Sequence, residues 1–441
     1  MSKIKSVNAH EVLDSRGNPT VYAEVLLEDG TRHGAFVPSG ASTGEREAVE
    51  LRDGDKARFR GRGVLKAIEN VNGPLSKAVR GIDVTAQKEV DDALLAADGT
   101  PNKAKMGANA ILSVSMGCMR AACRSQKVWL WDWVAELTGE KDPTELPVPM
   151  LNIFNGGAYA PGSTDFQEFM VAPIGFQSFR EALRAGSEIF QTLGALLREQ
   201  GLSTQVGFEG GYAPHGLSNR QALGLVTQAI EDAGYVPGEQ VWIALDPAAS
   251  EFYRKASGFY YLRREGRRLN SEKMIGEFES LCADFPIYSI EDGLSEHDWA
   301  GWSAFTKRDG AALQLVGDDL FVTQAQYVKR GIREKAANAV LIKLNQVGTV
   351  TETIETIKLA KKAGFGIVVS HRSGETEDTT IADLSVGVRA GQIKSGAPSR
   401  SERVAKYNRL LRIEEWLGPK ASYAGKRVLK NGQPKPAAKK G

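Results

Sequence analysis

Gly366-Ile367-Val368-Val369-Ser370 is an apolar run that ends immediately before His371 and Arg372, two residues able to do chemistry. Five other runs in the second half of the chain end in the same way. Short runs rich in β-branched residues are typical of buried parallel strands. The six runs are 242–245 before Asp246, 287–290 before Glu291 and Asp292, 313–317 before Asp318 and Asp319, 340–342 before Lys343, 366–370 before His371 and Arg372, and 392–393 before Lys394.

Reactive residues at the ends of strands that alternate with helices indicate the active face of a (β/α)8 barrel. We expect this barrel to occupy residues 141–425, after a boundary marked by the proline-rich stretch 143–149. Before the boundary, the alternating runs 21–27 and 31–37 around Glu28-Asp29-Gly30 predict a hairpin. Helical patterns follow. The sequence therefore predicts an α/β protein with an N-terminal α+β domain over residues 1–140.

Composition excludes several classes of protein. The chain has 441 residues, of which 42% are hydrophobic and 25% charged, as in ordinary soluble proteins of two or more domains. A net charge of +2 gives no support for binding nucleic acid or a membrane. Three cysteines make no disulfide framework, and the start lacks a signal peptide, so we expect a cytoplasmic protein. The basic tail 426–441 is expected to be disordered.

Three carboxylates at successive strand ends predict a metal site. Asp246, Glu291 and Asp318 offer the hard oxygen ligands that Mg²⁺ prefers. Taken singly, each could instead be a helix N-cap or a surface charge. Their register on one barrel face favours the metal. A transition-metal site has no support, because no cysteine or histidine pair has ligand spacing.

The side chains of two lysines would point into the mouth of the barrel, on the same face as the three carboxylates. Lys343 and Lys394 could simply pair with neighbouring carboxylates, but a lysine beside Mg²⁺ and other cations can have a pKa low enough to act as a base. Metal and lysines together favour removal of a proton α to a carboxylate, with the enolate stabilised by Mg²⁺. Arg372 and Ser373 could bind a phosphate.

Several long motifs resemble those of the enolase family, and the resemblance runs in one register from about residue 3 to about residue 425. It implies an enolase-type (β/α)8 barrel whose strand order begins with an antiparallel pair, an N-terminal capping domain, and a homodimer. The motifs are Ser370-His371-Arg372-Ser373-Gly374-Glu375-Thr376-Glu377-Asp378, Leu341-Ile342-Lys343-Leu344-Asn345-Gln346, Val316-Gly317-Asp318-Asp319-Leu320-Phe321-Val322-Thr323, Asp14-Ser15-Arg16-Gly17-Asn18-Pro19-Thr20 and Pro38-Ser39-Gly40-Ala41-Ser42-Thr43-Gly44.

The resemblance also implies a role for each candidate residue and a small phosphorylated carboxylate as substrate. Two Mg²⁺ ions would serve each active site, the second arriving with the substrate. The implied ligands are Asp246, Glu291 and Asp318 for the first ion and Ser39 for the second. Lys343 would be the base, and Glu209 and Glu168 would handle the departing hydroxyl, with His371 nearby. Arg372 and Ser373 would bind the phosphate of the substrate and Lys394 its carboxylate, and Gln167 would also contact the substrate.

Two departures from the family lie on the side of the leaving group. Tyr159 stands where enolases carry histidine, with Gly162 in place of asparagine, and Phe208 replaces the aspartate before Glu209. Tyrosine is neutral at pH 7 and cannot donate as imidazolium does. Phe208 is expected to desolvate Glu209 and raise its pKa. Tyr159 and Phe208 would therefore contact substrate in a rebuilt site.

Four functions stay open at this point. The first is an enolate-forming enzyme on a 2-phosphoglycerate or phosphoenolpyruvate skeleton with a rebuilt leaving-group side. The second is a plain glycolytic enolase whose changes are compensated elsewhere. The third resembles carboxyphosphoenolpyruvate synthase of phosphonate antibiotic pathways. The fourth is a recruited scaffold without activity, which the retained Lys343 and Asp246 disfavour.

Overall fold

The computed structural model describes residues 2–41 and 44–429. The N-terminal domain opens with a meander of three antiparallel strands, β1 (Ile4–Leu13), β2 (Pro19–Leu27) and β3 (Arg32–Phe36). The hairpin predicted from the sequence is β2–β3. The sequence pattern did not predict β1, because only Ile4, Val7 and Ala9 of its ten residues are buried.

Five helices complete this domain. The apolar helix α4 packs on β2 and β3, and its buried face includes Cys118 and Cys123, as the apolar sequence predicts. A π-helical segment, Val71–Leu75, joins the first two helices. The helices are α1 (Leu65–Asn70), α2 (Ser76–Val79), α3 (Gln87–Asp98), α4 (Ala108–Gln126) and α5 (Leu130–Thr138).

A closed eight-stranded barrel forms the second part and confirms the predicted fold. All six apolar runs of the sequence are barrel strands. The strand order around the barrel is β11-β12-β13-β14-β15-β5-β6-β7, in which β6 is antiparallel to both neighbours and all other pairs are parallel. The strands are β4 (Glu145–Leu146), β5 (Val148–Asn155), β6 (Glu168–Ala172), β7 (Trp242–Asp246), β8 (Tyr253–Arg254), β9 (Phe259–Leu262), β10 (Arg267–Leu269), β11 (Ile287–Glu291), β12 (Gln314–Gly317), β13 (Ala339–Ile342), β14 (Gly366–Ser370), β15 (Gly391–Lys394) and β16 (Ser422–Tyr423).

Helices surround the barrel, and β8–β10 form a small sheet outside it. In the described part of the chain, no helix is both long and apolar enough to cross a membrane. The helices are α6 (Phe179–Glu199), α7 (Asn219–Asp232), α8 (Ser271–Asp284), α9 (Trp299–Asp309), α10 (Ala325–Glu334), α11 (Leu344–Val347), α12 (Val350–Lys362), α13 (Thr380–Gly387) and α14 (Ser401–Leu417).

The end of the described chain differs from the expected disordered tail. A 3₁₀ helix, Gly425–Leu429, continues into the first residues of the predicted tail. Leu429 is buried and Arg427 pairs with Glu145 at the start of β4. An apolar anchor and an ion pair therefore order residues 426–429. The rest of the predicted tail, 430–441, lies outside the described residues.

The N-terminal domain meets the barrel at the carboxyl ends of its strands. Ser39 and Gly374 exchange two backbone hydrogen bonds of 2.8 Å, one in each direction. Arg120 on α4 pairs with Asp378, 2.6 Å away on the loop after β14. The reactive residues at the strand ends consequently lie under a cap formed by the first domain.

Candidate active site

Lys394, the last residue of β15, lies at the centre of three buried carboxylates. Its ammonium is 2.8 Å from Glu291, 3.0 Å from Asp246 and 3.0 Å from Glu168. Each strand ends at the mouth, or in the case of antiparallel β6 begins there, so the four side chains converge. Burial lowers the pKa of Lys394, but the three carboxylates together raise it far above its usual value. Lys394 is therefore a fixed cation.

Lys343, the predicted base, follows β13 and forms an ion pair with Asp318. The second oxygen of Asp318 accepts a hydrogen bond of 2.9 Å from Gln346. Burial lowers the pKa of Lys343, but the charge of Asp318 outweighs it, so that the net pKa is raised. This direction is opposite to the lowered pKa expected from the sequence, because Asp318 here neutralises the lysine. A cation bound by Asp318 would remove that influence.

The predicted metal ligands fit Mg²⁺ by their chemistry. Glu291 is fully buried, and burial followed by the nearby charge of Asp246 raises its pKa. Its Oε2 has no hydrogen-bond partner in the described part of the chain. A hard dication would relieve this repulsion and supply a partner for the free oxygen. With Asp318, these carboxylates are the residues that would hold the ion.

A second acidic cluster lies beside this set. Ligand oxygens of Asp292, Asp318 and Asp319 lie within 4.8 Å of one another. The two oxygens of Asp292, however, accept hydrogen bonds from the backbone of Asp318 and Asp319, at 2.9 and 2.8 Å. Asp292 therefore ties β11 to the end of β12, which positions Asp318.

Ser39 is not arranged as a metal ligand. Its hydroxyl lies 3.2 Å from Arg16 Nη2, 3.0 Å from Arg52 Nη2 and 3.1 Å from Glu50. An oxygen that accepts from two guanidinium groups is a poor site for a dication, since like charges repel. The prediction that Ser39 binds the second Mg²⁺ therefore disagrees with the contacts of its hydroxyl. Ser42 and Thr43 of the same loop lie outside the described residues.

Arg372 and Ser373 lie together at the mouth, as the phosphate prediction requires. Arg372 forms a bidentate ion pair with Glu47 of the N-terminal domain, at 3.0 and 3.1 Å, and also donates to Asn345 at 3.0 Å. The hydroxyl of Ser373 is buried and lacks a hydrogen-bond partner among the described residues. Glu47 thus occupies the bonding edge of Arg372 that a phosphate would use.

Glu209 lies in a polar network that the sequence did not predict. Asn152 Nδ2 donates to its Oε2 at 3.0 Å, and His371 Nε2 is 3.1 Å from its Oε1. Burial raises the pKa of Glu209, but the adjacent His371 and the charges of Arg403 and Lys394 outweigh it and hold the pKa well below normal. The expectation that Phe208 raises this pKa was wrong, because these charges decide the direction.

Glu168, the first residue of β6, has a pKa that is shifted in the opposite direction to that of Glu209. It is fully buried, and its Oε2 has no hydrogen-bond partner among the described residues. Burial and the negative charge of Glu209 raise its pKa well above that of a free glutamate, although Lys394 opposes them. Two carboxyl groups on one side of the site therefore favour different protonation states, which is a common arrangement for an acid and a base.

Tyr159 is held inward by a tight loop after β5. Gly156 and Gly157 donate backbone hydrogen bonds to Gln167 and Thr164, at 2.8 and 3.0 Å. A side chain at Gly156 would collide with Thr164 and the Phe166 carbonyl, at 1.8 and 2.3 Å. The ring of Tyr159 is consequently buried, and burial and the charges of Glu209 and Glu168 raise its pKa well above 10.

Phe208 lies farther out than Tyr159. Its ring is 40% exposed and its centroid is 6.4 Å from that of Tyr159. The Phe208 carbonyl accepts hydrogen bonds from Arg400 and Arg403, at 3.1 and 3.0 Å. The two departures are therefore neighbours, one inside the pocket and one at its rim. Gln167, next to Glu168, is buried with an unpartnered Oε1 within the described chain.

Gly162 has a physical reason for lacking a side chain. Its φ is +101°, and a Cβ would lie 2.6 Å from the imidazole Nδ1 of His215. The family's asparagine could not fit beside this ring. His215 thus belongs to the altered side of the site, although nothing in its sequence surroundings indicates this.

Besides His215, the site residues that sequence reasoning missed include Glu47, Asn152 and Arg403. None of them ends a barrel strand: Glu47 is on a loop of the other domain, Asn152 is inside β5, and Arg403 is on α14. The available signal was the position of Glu47 three residues after the motif 38–44, and Asn152 had no such signal. Arg403 had none.

Two family models match the chain. The first, described as "Enolase, N-terminal domain", matches residues 4–134. The second, described as "Enolase, C-terminal TIM barrel domain", matches residues 143–432. Together they span nearly the whole chain, and the gap between them, 135–142, contains the end of α5 and precedes β4.

Proposed function

Because the chain belongs to the enolase family, we propose that it is a Mg²⁺-dependent enzyme that forms or uses an enolate on a 2-phosphoglycerate or phosphoenolpyruvate skeleton. The observation that carries the proposal is the convergence of Lys394 with Glu291, Asp246 and Glu168 beside the Lys343–Asp318 pair. Two lysines in the mouth, together with a dication on the buried carboxylates, would suit a substrate with several negative charges.

Each polar residue has a place in the proposed mechanism. When bound by Asp246, Glu291 and Asp318, Mg²⁺ supplies positive charge that stabilises the enolate. Lys343 Nζ would take the C2 proton after Asp318 ceases to hold the lysine protonated. Lys394 would bind the substrate carboxylate, and Arg372 and Ser373 the phosphate, with a second Mg²⁺ accompanying the substrate. General-base catalysis of this kind contributes about 10²–10⁴ in rate.

The leaving-group side would divide acid and base between two carboxyls. Glu168, whose pKa burial raises, would carry the proton for a departing group. Glu209, whose pKa His371 and Arg403 lower against the effect of burial, would stay ionised. Tyr159 stays neutral between them and cannot replace an imidazolium as a proton donor.

We further propose that the altered side serves a reaction other than simple loss of hydroxide. The supporting observation is that both departures are adjacent while the metal and phosphate residues are retained. A reaction similar to that of carboxyphosphoenolpyruvate synthase would keep the enolpyruvate half and admit a nucleotide-activated phosphonoformate past the rim at Phe208. Glycolytic dehydration of 2-phosphoglycerate is the second candidate, favoured by the retained Lys343 and Glu168.

Binding and turnover measurements separate these functions. We expect calorimetry to show phosphoenolpyruvate binding that needs Mg²⁺, and a steady-state assay to show slow dehydration of 2-phosphoglycerate. Turnover of ~10–10³ s⁻¹, as in efficient enzymes, would instead establish a glycolytic enolase. Absence of both binding and turnover would leave a recruited scaffold without activity as the remaining candidate function.

Reversal of the two departures gives a second test. The double change Tyr159→His and Phe208→Asp should raise the rate of dehydration, because the leaving-group side regains its polar partners. The two residues are neighbours, so the single changes can be non-additive. Phe59→Asp is a matched control, since Phe59 is 41% exposed like Phe208 but lies away from the mouth. No gain in the double variant would contradict a diverted reaction.

We also propose that the protein is a homodimer, as the family resemblance suggests. We propose a cytoplasmic location, since the three cysteines are unpaired. Sedimentation velocity at micromolar concentration tests the assembly. A single species of about twice 47.7 kDa is expected, and a monomer would contradict it.

A further inference from the structure

Arg403 on α14 has a buried guanidinium that contacts residues of both the leaving-group side and the phosphate side. Its Nη1 donates to His371 Nδ1 at 2.7 Å and to the Arg372 carbonyl at 2.6 Å. Its Nη2 donates to the carbonyls of Ser373 and Phe208, at 2.6 and 3.0 Å. No surface of Arg403 is exposed. One side chain therefore connects four residues of the site.

The contact with His371 determines where the imidazole carries its proton. An arginine side chain has five N–H donors, no acceptor, and a charge that is not lost in proteins. Nδ1 of His371, 2.7 Å away, must therefore accept and carry no hydrogen. The proton of the neutral ring is then on Nε2, which is 3.1 Å from Glu209 Oε1 but, among the described residues, forms no hydrogen bond in this geometry.

We propose that Arg403 is a positioning residue that fixes His371 as the neutral tautomer protonated at Nε2, so that the protonated nitrogen is the one beside Glu209. Glu209 thereby has the N–H of His371 beside its Oε1, while Asn152 donates a hydrogen bond of 3.0 Å to its Oε2. The inference rests on the proposed function only for what Glu209 does to a substrate. The tautomer itself is a property of the free protein.

The charges around the ring agree with this assignment. Arg403 faces it from α14, Glu209 from the loop before α7, and Glu375 from the ring's own loop. On the adjacent β15, the ammonium of Lys394 is turned to its three carboxylates. Burial and Arg403 lower the pKa of His371 to about 4 against the opposing effect of Glu209. A second ring proton would point at Arg403, so the ring stays neutral.

Arg403 also explains how Phe208 can differ from the family without displacing Glu209. The backbone carbonyl of Phe208 is held by Arg403, whatever its side chain is. The carbonyls of Arg372 and Ser373 are held by the same guanidinium. The side chain at position 208 can therefore change while the backbone beside Glu209 and the phosphate segment stay in register.

A buried arginine can also be only a structural anchor, and the tautomer distinguishes the two roles. The protein contains five histidines, so ¹⁵N-histidine labelling gives few signals, and His371→Gln assigns the one of interest. We expect wild-type His371 to show a proton on Nε2 and no titration between pH 5 and 8. A proton on Nδ1, or a titration near 6.5, would overturn the proposal.

Arg403→Lys tests cause and effect. Lysine keeps the charge but not the planar fork, so it cannot serve His371 and three carbonyls together. We expect the Nε2 tautomer to lose its dominance, and binding of phosphoenolpyruvate with Mg²⁺ to weaken roughly 10-fold, since misplacement by about 1 Å can cost 10²-fold. Arg409→Lys on the same helix, paired with Asp383, is the control and should change neither readout. An unchanged tautomer in Arg403→Lys would refute the role.

The positioning role of Arg403 and the proposed function can be refuted independently of each other. The tautomer measurement on the wild-type protein needs neither substrate nor metal, and it decides the inference even where Arg403→Lys does not fold. If the Nε2 tautomer is found but phosphoenolpyruvate does not bind, the positioning role stands and the proposed function fails.

Discussion

At the scale of single residues, the protonation state of each reactive group depends on burial and on a few close neighbours. Glu168 and Glu209 are both fully buried glutamates on one side of the site, yet their pKa values move in opposite directions. Burial, the largest influence on each, raises both. It prevails for Glu168, whereas His371 and Arg403 outweigh it for Glu209.

Composition and spacing could identify these residues but not their partners. The sequence placed Phe208 beside Glu209 and predicted a raised pKa, yet the residues that decide the direction of this pKa lie more than 150 positions away. The same limit applies to Lys343, whose partner Asp318 raises the pKa that the sequence expected to be lowered. Long-range pairs of charges, not local composition, set these states.

The first residue-scale prediction concerns the base. Lys343→Ala should reduce the exchange of the C2 proton of 2-phosphoglycerate with solvent deuterium by ~10²–10⁴, because the group that accepts this proton is removed. Proton NMR of the substrate in D₂O measures the exchange. Lys103→Ala is the control, since Lys103 is also a buried lysine, paired with Glu352 outside the site. Undiminished exchange in Lys343→Ala would exclude it as the base.

The second residue-scale prediction concerns the metal. Asp246→Ala should abolish the rise in melting temperature that Mg²⁺ causes, because two carboxylates are too few to hold the ion. Differential scanning calorimetry with and without Mg²⁺ measures this rise. Asp92→Ala, an exposed aspartate paired with Lys88, should keep it. An equal rise in Asp246→Ala would show that the ion binds elsewhere.

At the scale of elements, the parallel barrel strands could be predicted from the sequence pattern, whereas the antiparallel strand β6 could not. Asp246, Glu291 and Lys394 all end parallel barrel strands, so periodicity alone placed them on one face. Glu168 begins β6, which is antiparallel to both neighbours, so its amino end lies at the mouth. Counting strand ends therefore could not find Glu168, and only the family resemblance indicated it.

Loops and helices supplied the residues that no periodicity could predict. Glu47 reaches Arg372 from the other domain, 325 positions away in sequence. Arg403 is an inward-facing residue of α14, a helix whose pattern indicates only burial. Such contacts depend on how the domains pack. The fold thus followed from the sequence pattern more completely than the site did.

The loop that carries Glu47 gives a prediction at this scale. Glu47→Gln should strengthen the binding of inorganic phosphate and phosphoenolpyruvate by about 10-fold, because the bidentate carboxylate that competes for Arg372 loses its charge. Calorimetric titration measures the affinity. Glu50→Gln alters the same loop but pairs with Arg52 and Ser39, so it should leave the affinity unchanged. Weaker binding in Glu47→Gln would indicate that Glu47 supports the phosphate site instead.

At the scale of the whole molecule, the site lies where the two domains meet. The cap is held by the Ser39–Gly374 backbone pair and by Arg120 on α4, which reaches Asp378 after β14. Asp378 also accepts hydrogen bonds from the backbone of Thr380 and Phe36, at 2.8 and 3.2 Å. A single carboxylate thus joins the loop that follows the phosphate-binding residues to the sheet of the other domain.

The last prediction concerns this connection. Arg120→Met should lower the free energy of unfolding at pH 7 by on the order of 3 kcal/mol, because Asp378 stays buried without its cation. Burial raises the pKa of Asp378, but Arg120 and the hydrogen bonds outweigh it, so its pKa is lowered in the folded protein. The stability it contributes is therefore present above the pKa of an unfolded aspartate, about 3.9, and lost as the pH falls through the folded value. The loss of unfolding free energy in the variant should shrink below about pH 4, as urea denaturation at several pH values would measure.

Arg184→Met, which removes an exposed arginine paired with Glu181, is the control and should cost less than about 1 kcal/mol of unfolding free energy at any pH. A deficit in Arg120→Met that does not change with pH would mean that Arg120 joins the domains by packing, and that its charge on Asp378 contributes nothing.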